Sequence, residues 1–313
     1  MDDVLAIVGP LLGSEAQAAA TVAQQQSIPL IAVTRDDDIS KKGDYIFHDF
    51  LNAESEVNAL VDFAIKKKEL KSFVIMYPNS EYGKQYSKMF AEKVEQNGAA
   101  VIENYMYEPN EVDFKDESCM VYYGTTDVDI KEPEIEGRQF DAVFIPDSYK
   151  RVSYIVPTLR YVGMSDKVQV LGTSRWNNPQ LIDRTKDYVQ GAVFTAGFHK
   201  ESKEFLISKF VDTFKEAYSD DPTLLEAEGY DATRLIIKAI GNTGGKKRSS
   251  IKTDILKTVE YPGVTGMISV DSSGKIQKKV HLLGVVGDKI VPYNEMELLK
   301  NPIEIESETI ELE

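Results

Sequence analysis

Up to about residue 200 the chain alternates short apolar runs with stretches in which apolar residues recur every three or four positions. The runs fall at 4–9, 28–34, 45–50, 73–77, 99–107, 141–146, 168–172 and 192–196. Most are continuously apolar rather than alternating, as expected of strands covered by helices on both faces. The clearest amphipathic stretch is 81–96, where Tyr82, Tyr86, Phe90 and Val94 recur every four residues and Gly98 follows as a C-terminal cap. This pattern predicts an α/β protein with mostly parallel sheets and helices on both faces. Beyond residue 200 the rhythm breaks. Helices are predicted at 201–218, 224–240 and 249–259, then a strand at 266–271 and a strand pair at 279–286 and 289–291 turning at Gly287-Asp288. Helices and a terminal hairpin after a βα series favour open sheets in two lobes over a closed barrel. Residues 108–140, rich in Asp and Glu and without periodicity, read as an insertion or lid-like loop. The acidic tail from Asn294 reads as frayed.

At 313 residues the chain can bury two separate cores. Its net charge of −15, with no basic stripe, excludes nucleic acid as a partner. The longest apolar runs are strand-sized and fall short of the roughly 20 residues of a membrane helix. The single cysteine, Cys119, excludes an internal disulfide and a thiolate metal cluster. No signal peptide is visible in the acidic opening Met1-Asp2-Asp3.

Chemistry is sparse. His48, His199 and His281 lie far apart with no metal-ligand spacing, and His48 beside Asp49 reads as a structural histidine. The run at 241–247 (Gly-Asn-Thr-Gly-Gly-Lys-Lys) fails as a phosphate loop on spacing and follows a helix instead of a strand. There is no nucleophile elbow and no dinucleotide fingerprint, so neither enzymatic activity nor a cofactor is predicted.

Three loops after apolar runs suit binding, since open α/β sheets take ligands beyond the carboxyl ends of their strands. In the first, Gly13 would let a ligand approach the backbone, and Ser14 with Gln17 forms a capping box at a helix start whose free amides suit an anion. The same residues equally describe a plain capped helix. The second is Thr34-Arg35-Asp36-Asp37-Asp38, whose acids read as a solvated turn. The third, Gly172 to Pro179, carries Ser174, Arg175 and the only tryptophan, Trp176, with Asn178 capping a helix that opens on proline. Trp176 would serve either as an aromatic platform or as local packing.

The order of these loops resembles the type I periplasmic binding proteins, including receptors for leucine, isoleucine and valine. The resemblance is carried by Ala6-Ile7-Val8-Gly9-Pro10-Leu11, Ser27-Ile28-Pro29-Leu30-Ile31, Tyr77-Pro78-Asn79-Ser80-Glu81-Tyr82-Gly83, Glu228-Gly229-Tyr230-Asp231-Ala232, and Gly263-Val264-Thr265-Gly266 with Asp271 and Gly274. Phe144-Ile145-Pro146-Asp147-Ser148 and Leu171-Gly172-Thr173 with Trp176-Asn177 are similar to a subgroup related to penicillin-binding-protein activators.

The resemblance implies a two-lobed flytrap fold. Lobe one would hold residues 1–48 and 197–264, and lobe two 49–196 and 265–293, with 294–313 as the tail. The chain would cross between lobes near 47–51, 195–198 and 263–266. The family's opening strand, helix and strand have no counterpart before Val4, so lobe one is expected to be truncated. Gly13, Ser14, Thr34 and Arg35 would face the ligand from lobe one, and Tyr82, Ser148, Ser174, Arg175 and Trp176 from lobe two. In amino-acid receptors of the family an acidic residue near position 174 pairs with the ligand ammonium. Here Ser174 and Arg175 stand there, with Asp147 as the substitute. The implied function is a non-enzymatic periplasmic or otherwise extracytoplasmic receptor that closes on a small polar ligand (amino acid, peptide or organic acid) and serves an ABC transporter permease. The alternative is an activator-like protein whose partner is a cell-wall synthase.

Overall fold

The computed structural model describes residues 4–36, 38–245 and 247–300. In chain order, the first segment holds β1 (Ile7–Val8), α1 (Gly13–Gln25), β2 (Leu30–Ala32) and β3 (Ile46–His48). α2 (Ala53–Val61) follows and continues as a π-helical segment, Asp62–Lys67. Strand and helix then alternate through β4 (Ser72–Pro78), α3 (Glu81–Gln96), β5 (Ala100–Tyr107), α4 (Lys115–Tyr123) and β6 (Ala142–Ile145). The alternation continues through α5 (Tyr149–Tyr161), β7 (Gln169–Gly172), α6 (Gln180–Thr185) and β8 (Val193–Ala196). Next come helices α7 (Phe205–Tyr218), α8 (Leu224–Thr243) and α9 (Arg248–Leu256), then strands β9 (Tyr261–Gly263), β10 (Gly266–Val270) and β11 (Ile276–Lys278). The chain ends in β12 (His281–Val286), β13 (Lys289–Pro292) and α10 (Tyr293–Lys300).

These elements divide into two compact units, one from residues up to 56 and 197–281, the other from 57–196 and the residues after 281. In unit 1, β1, β2 and β3 form a parallel sheet in that order. Successive side chains of β2 point to opposite faces, which is why the whole run is apolar. Leu30 and Ala32 pack with Ala16, Ala20 and Ala23 of α1. Ile31 packs with Phe47 against Leu235 and Ala239 of α8 and Ile251 and Ile255 of α9. A second, antiparallel sheet, β11-β10-β9, adds Ile268, Val270 and Ile276 to that same core. It meets β3 through a bridge between His48 and Lys275.

In unit 2 a seven-stranded sheet runs β13-β12-β8-β7-β6-β4-β5. The pairs among β5, β4, β6, β7 and β8 are all parallel, and the terminal hairpin turns at Gly287-Asp288 as expected. α3 has the predicted bounds because its buried Tyr86, Phe90 and Val94 follow one stripe and Ser80 caps it, accepting the Gly83 amide. The Phe90 ring stacks on Phe144 of β6 at 4.2 Å and meets Phe73 of β4 edge-on.

Several expectations are corrected. Residues 265–281 belong by their packing to unit 1, not to the second lobe, because Ile268, Val270 and Ile276 are buried against Phe47 and Leu235, and residues 49–56 likewise fall in unit 1. The chain therefore crosses at 56–57, 196–197 and 281–282. The segment 108–140 is not all loop: α4 sits within it, and Phe114 and Val121 enter the core of unit 2. The stretch from Asn294 is not frayed at its start. α10 buries Met296, and Glu297 pairs with Lys67 and Lys68. Residues 301–313 of the expected tail lie outside the described residues, as does Asp37.

Candidate functional site: carboxyl-edge loops in each unit

In unit 1 the first loop enters α1 with Leu12, extended and contributing no side-chain cap, at the N-cap position. The predicted capping box is not formed. Ser14 lies inside the first turn, and Gln17 donates instead to Asp36, nineteen residues away in sequence. Gly13 and Ser14 are exposed, and the first intrahelical bond runs from the Ala16 amide to the Leu12 carbonyl at 2.8 Å. The amides of Gly13, Ser14 and Glu15 precede that bond, so this helix start retains the donors an anion would use.

At the end of β2 the picture is mixed. Thr34 is buried, its hydroxyl accepts the Asp36 amide at 3.4 Å, and its carbonyl accepts from His48 Nε2 at 2.7 Å. Its hydroxyl oxygen is thus engaged locally as an acceptor. His48 is the satisfied structural histidine the sequence suggested. Arg35 is exposed, its guanidinium 5.6 Å from the Phe50 ring centroid. Of the acidic turn, Asp38 pairs with Lys41 at 2.7 Å.

In unit 2 the expected residues lie at the carboxyl ends of the adjacent strands β7, β6 and β4. β7 ends at Gly172, Thr173 is buried and extended, and a 3-10 turn over Ser174–Trp176 sends consecutive side chains in different directions. Arg175 is exposed, with its Cζ 3.4 Å from the centroid of the Tyr82 ring. It forms no hydrogen bond or ion pair with any described residue. The Tyr82 hydroxyl donates to Thr173 Oγ1 at 2.8 Å, fixing the ring under the guanidinium. Ser174 is half-buried.

Trp176 is not a platform. It is fully buried beside Phe194 and lies so close to Gly172 that a Cβ there would stand 2.2 Å from the indole. Its indole N–H finds no acceptor among the described residues. Asn178 does act as expected, its Oδ1 accepting the Gln180 amide at 2.9 Å.

Beyond β6, Asp147 accepts the Tyr107 hydroxyl at 2.8 Å and the Ser148 amide at 2.5 Å. Burial, and then the Asp147 charge, push the Tyr107 phenol far above its ordinary value, so it stays a donor. Both Asp147 oxygens are therefore engaged. Ser148 caps α5, its hydroxyl accepting the Arg151 amide at 3.4 Å. The sequence reading missed Thr173 and Tyr107. Tyr107 left one trace: it ends an apolar run on the same sheet edge as Asp147. Among the described residues no group of three His, Cys, Asp or Glu side chains could hold a metal ion, and no helix is long and apolar enough to cross a membrane.

A family model described as periplasmic binding protein matches residues 1–288. The chain belongs to that family. Its two units correspond to the two lobes of the type I periplasmic-binding-protein fold. A branched-chain amino acid ABC transporter protein from Rhodospirillum rubrum superposes with a TM-score of 0.82 at 21% identity, over 93% of this periplasmic binding protein and 81% of that chain. LivJ from Streptococcus pneumoniae, solved with isoleucine, gives 0.66 at 23% identity over 92% and 78%. A solute binding protein from Rhodopseudomonas palustris, solved with 3,4-dihydroxy benzoic acid, gives 0.65 at 20% over 93% and 77%. At these identities the superpositions speak for the fold alone. No curated protein sequence matches. Nothing in these comparisons supports the resemblance to penicillin-binding-protein activators, and that reading is set aside.

Proposed function

We propose that this periplasmic binding protein works outside the cytoplasmic membrane as the solute receptor of an ABC-type transporter, without chemistry of its own, and that its ligand is a small organic anion. Each unit by itself carries one set of candidate groups at the carboxyl edge of its sheet. Solved relatives hold both an amino acid and an aromatic acid, so family alone does not choose between the classes.

Arg175 carries the choice. An exposed guanidinium over a tyrosine face, with no carboxylate partner among the described residues, is a ready acceptor of a ligand carboxylate through paired N–H donors. The free amides of Gly13 and Ser14 favour the same charge. Asp147, the acid expected to stand in as the ammonium partner, already has both oxygens engaged, which leaves a ligand ammonium poorly served.

The test is thermal unfolding against organic acids, amino acids, amines and short peptides. A rise in Tm that grows with the concentration of an organic acid is the linkage expected of binding to the native state. A rise with zwitterionic amino acids and none with simple carboxylates would overturn the anion assignment while keeping the receptor. No rise across the panel, in a protein that melts cooperatively, would overturn both.

A further inference from the structure

The buried acids of unit 1 lie apart from these loops. Glu228 is on the inward stripe of α8 and is 1% exposed. Its Oε1 accepts the amide of Leu51 at 3.0 Å, on the strap between β3 and α2. Its Oε2 is buried and has no hydrogen-bond partner among the described residues. It lines a small pocket with Leu51, Ser55, Gly197, Thr265 and Lys278. Lys278, at the end of β11, reaches Asp49 Oδ1 at 2.5 Å, and Asp49 is itself 1% exposed. Lys278 is thus ion-paired with Asp49, and Glu228 feels its charge without pairing with it.

The other charged groups around Glu228 are committed elsewhere or stand at the pocket's edge. His48, beside Asp49, spends Nε2 on the Thr34 carbonyl. Asp231, one turn further along α8, accepts the amides of Val264 and Thr265 and the Thr265 hydroxyl. Lys279 lines the pocket, and Glu56 is buried in α2. An uncompensated carboxylate in such surroundings is costly, and the simplest relief is to keep a proton on it.

We propose that Glu228, Lys278 and Asp49 form a proton-operated latch on the strap 49–52. With a proton on Oε2, Glu228 is neutral, holds the Leu51 amide through Oε1 and presents a donor to the pocket. When that proton leaves to solvent, the carboxylate keeps the Leu51 amide but repels Asp49 and draws the Lys278 ammonium away from it, so the strap loosens at its Asp49 end. Burial, reinforced by Asp49 and opposed by Lys278, pushes the Glu228 carboxyl up to about 8. Burial also works to strip Lys278 of its proton, but Asp49 and then Glu228 outweigh it and hold the ammonium above its ordinary value. Glu228 therefore holds a proton in the folded chain that it lacks in the unfolded chain between the ordinary glutamate range and about 8, and burial pushes its neighbour Asp49 the same way. Across that window the folding constant falls as pH rises, by up to about tenfold per pH unit, and the fall ends above it. The latch does not depend on what ligand the protein takes.

Hydrogen exchange of the full chain, read by mass spectrometry at about pH 6.5 and 9 and corrected for intrinsic rates, tests it. The peptide covering 49–52 should lose up to about thirtyfold in protection at the higher pH, as one proton lost near 8 requires. Glu228→Gln, neutral at both, should keep the protection and flatten the Tm profile between those values. Equal protection of the unaltered protein at both pH values, or parallel loss in the variant, would overturn the proposal. Should Glu228→Gln not fold, carbon NMR of the glutamate-labelled natural protein decides: a carboxyl titrating near 8 supports the latch, and its absence sinks it.

Discussion

The Arg175 guanidinium carbon stands 3.4 Å from the centre of the Tyr82 ring, whose hydroxyl is tied to Thr173 at 2.8 Å. Three residues on two strand ends thus hold one cation in a fixed place without neutralising it. A stack of this kind is worth about 0.5–2 kcal/mol depending on desolvation. Because the guanidinium is exposed, its removal costs little in folding and falls on whatever anion it would meet.

Arg175→Ala is therefore expected to lower affinity for an anionic ligand about tenfold or more, corresponding to about 1.4 kcal/mol, with Tm nearly unchanged. Arg175→Lys should recover only part of that, since an ammonium lacks the planar fork. Titration calorimetry with the organic acid found in the screen checks both.

Tyr82→Ala is expected to weaken the same binding at least several-fold without unfolding unit 2. Tyr82→Phe keeps the ring under Arg175 but leaves the buried Thr173 hydroxyl without its donor, a loss of about 1 kcal/mol in stability. Unchanged affinity in a folded Tyr82→Ala protein would remove Tyr82 from the site.

Trp176 and Gly172 should behave as core. Trp176→Ala is expected to destabilise by about 3–5 kcal/mol. Gly172→Ala drives a methyl into the indole and is expected to cost about 1–3 kcal/mol. Denaturant melts measure both, and Trp176→Phe should leave ligand affinity nearly as it was.

Asp231→Ala leaves the buried Val264 and Thr265 amides and the Thr265 hydroxyl without their acceptor. A loss of about 3 kcal/mol or more is expected, since hydrogen bonds to charged groups are the stronger ones. Gly263 packs directly on that carboxylate, with its missing Cβ 2.5 Å from Asp231 Oδ2, so Gly263→Ala should be destabilising in the same melts.

Acid stability has a named contributor in Asp141, which accepts the amides of Lys71 and Ser72 and the Ser72 hydroxyl. Burial opposes its charge, yet those bonds prevail and hold its carboxyl below the usual range. A depressed carboxylate contributes stability that is present above its unfolded value and is lost as pH falls through the folded one. Asp141→Asn should therefore be less stable near neutrality and lose less than the natural protein on acidification below about pH 4. Parallel acid melts of the two proteins would contradict this.

Strands β4, β6, β7 and β8 were legible because parallel strands buried on both faces are apolar throughout. The strands of unit 1 shrank, 4–9 becoming Ile7–Val8, because a ladder extends only as far as its neighbour does. α3 was legible from one stripe and one cap.

The orientation of Trp176 was not legible. A 3-10 turn decides which of Arg175 and Trp176 points outward, and that depends on Gly172 leaving room for the indole. The Ser14–Gln17 box failed because Gln17 found Asp36, a partner sequence spacing does not reveal. A real capping box, Thr223 with Glu226, was legible and overlooked. Glu228 and Asp231 also left a trace, as acids at positions of α8 that otherwise belong to Ala227, Ala232 and Leu235.

Neither unit is made from one continuous stretch of chain, and this sets an order of completion during synthesis. The last residue of unit 1 has emerged at 281. Unit 2, although most of it is made earlier, waits for β12 to supply Leu283 and Val285 to its core beside Phe194. Until the last segment arrives, β8 presents an unpaired edge, the exposure that invites misassociation of a nascent chain. A chain stopped just after 281 would thus leave the second unit open.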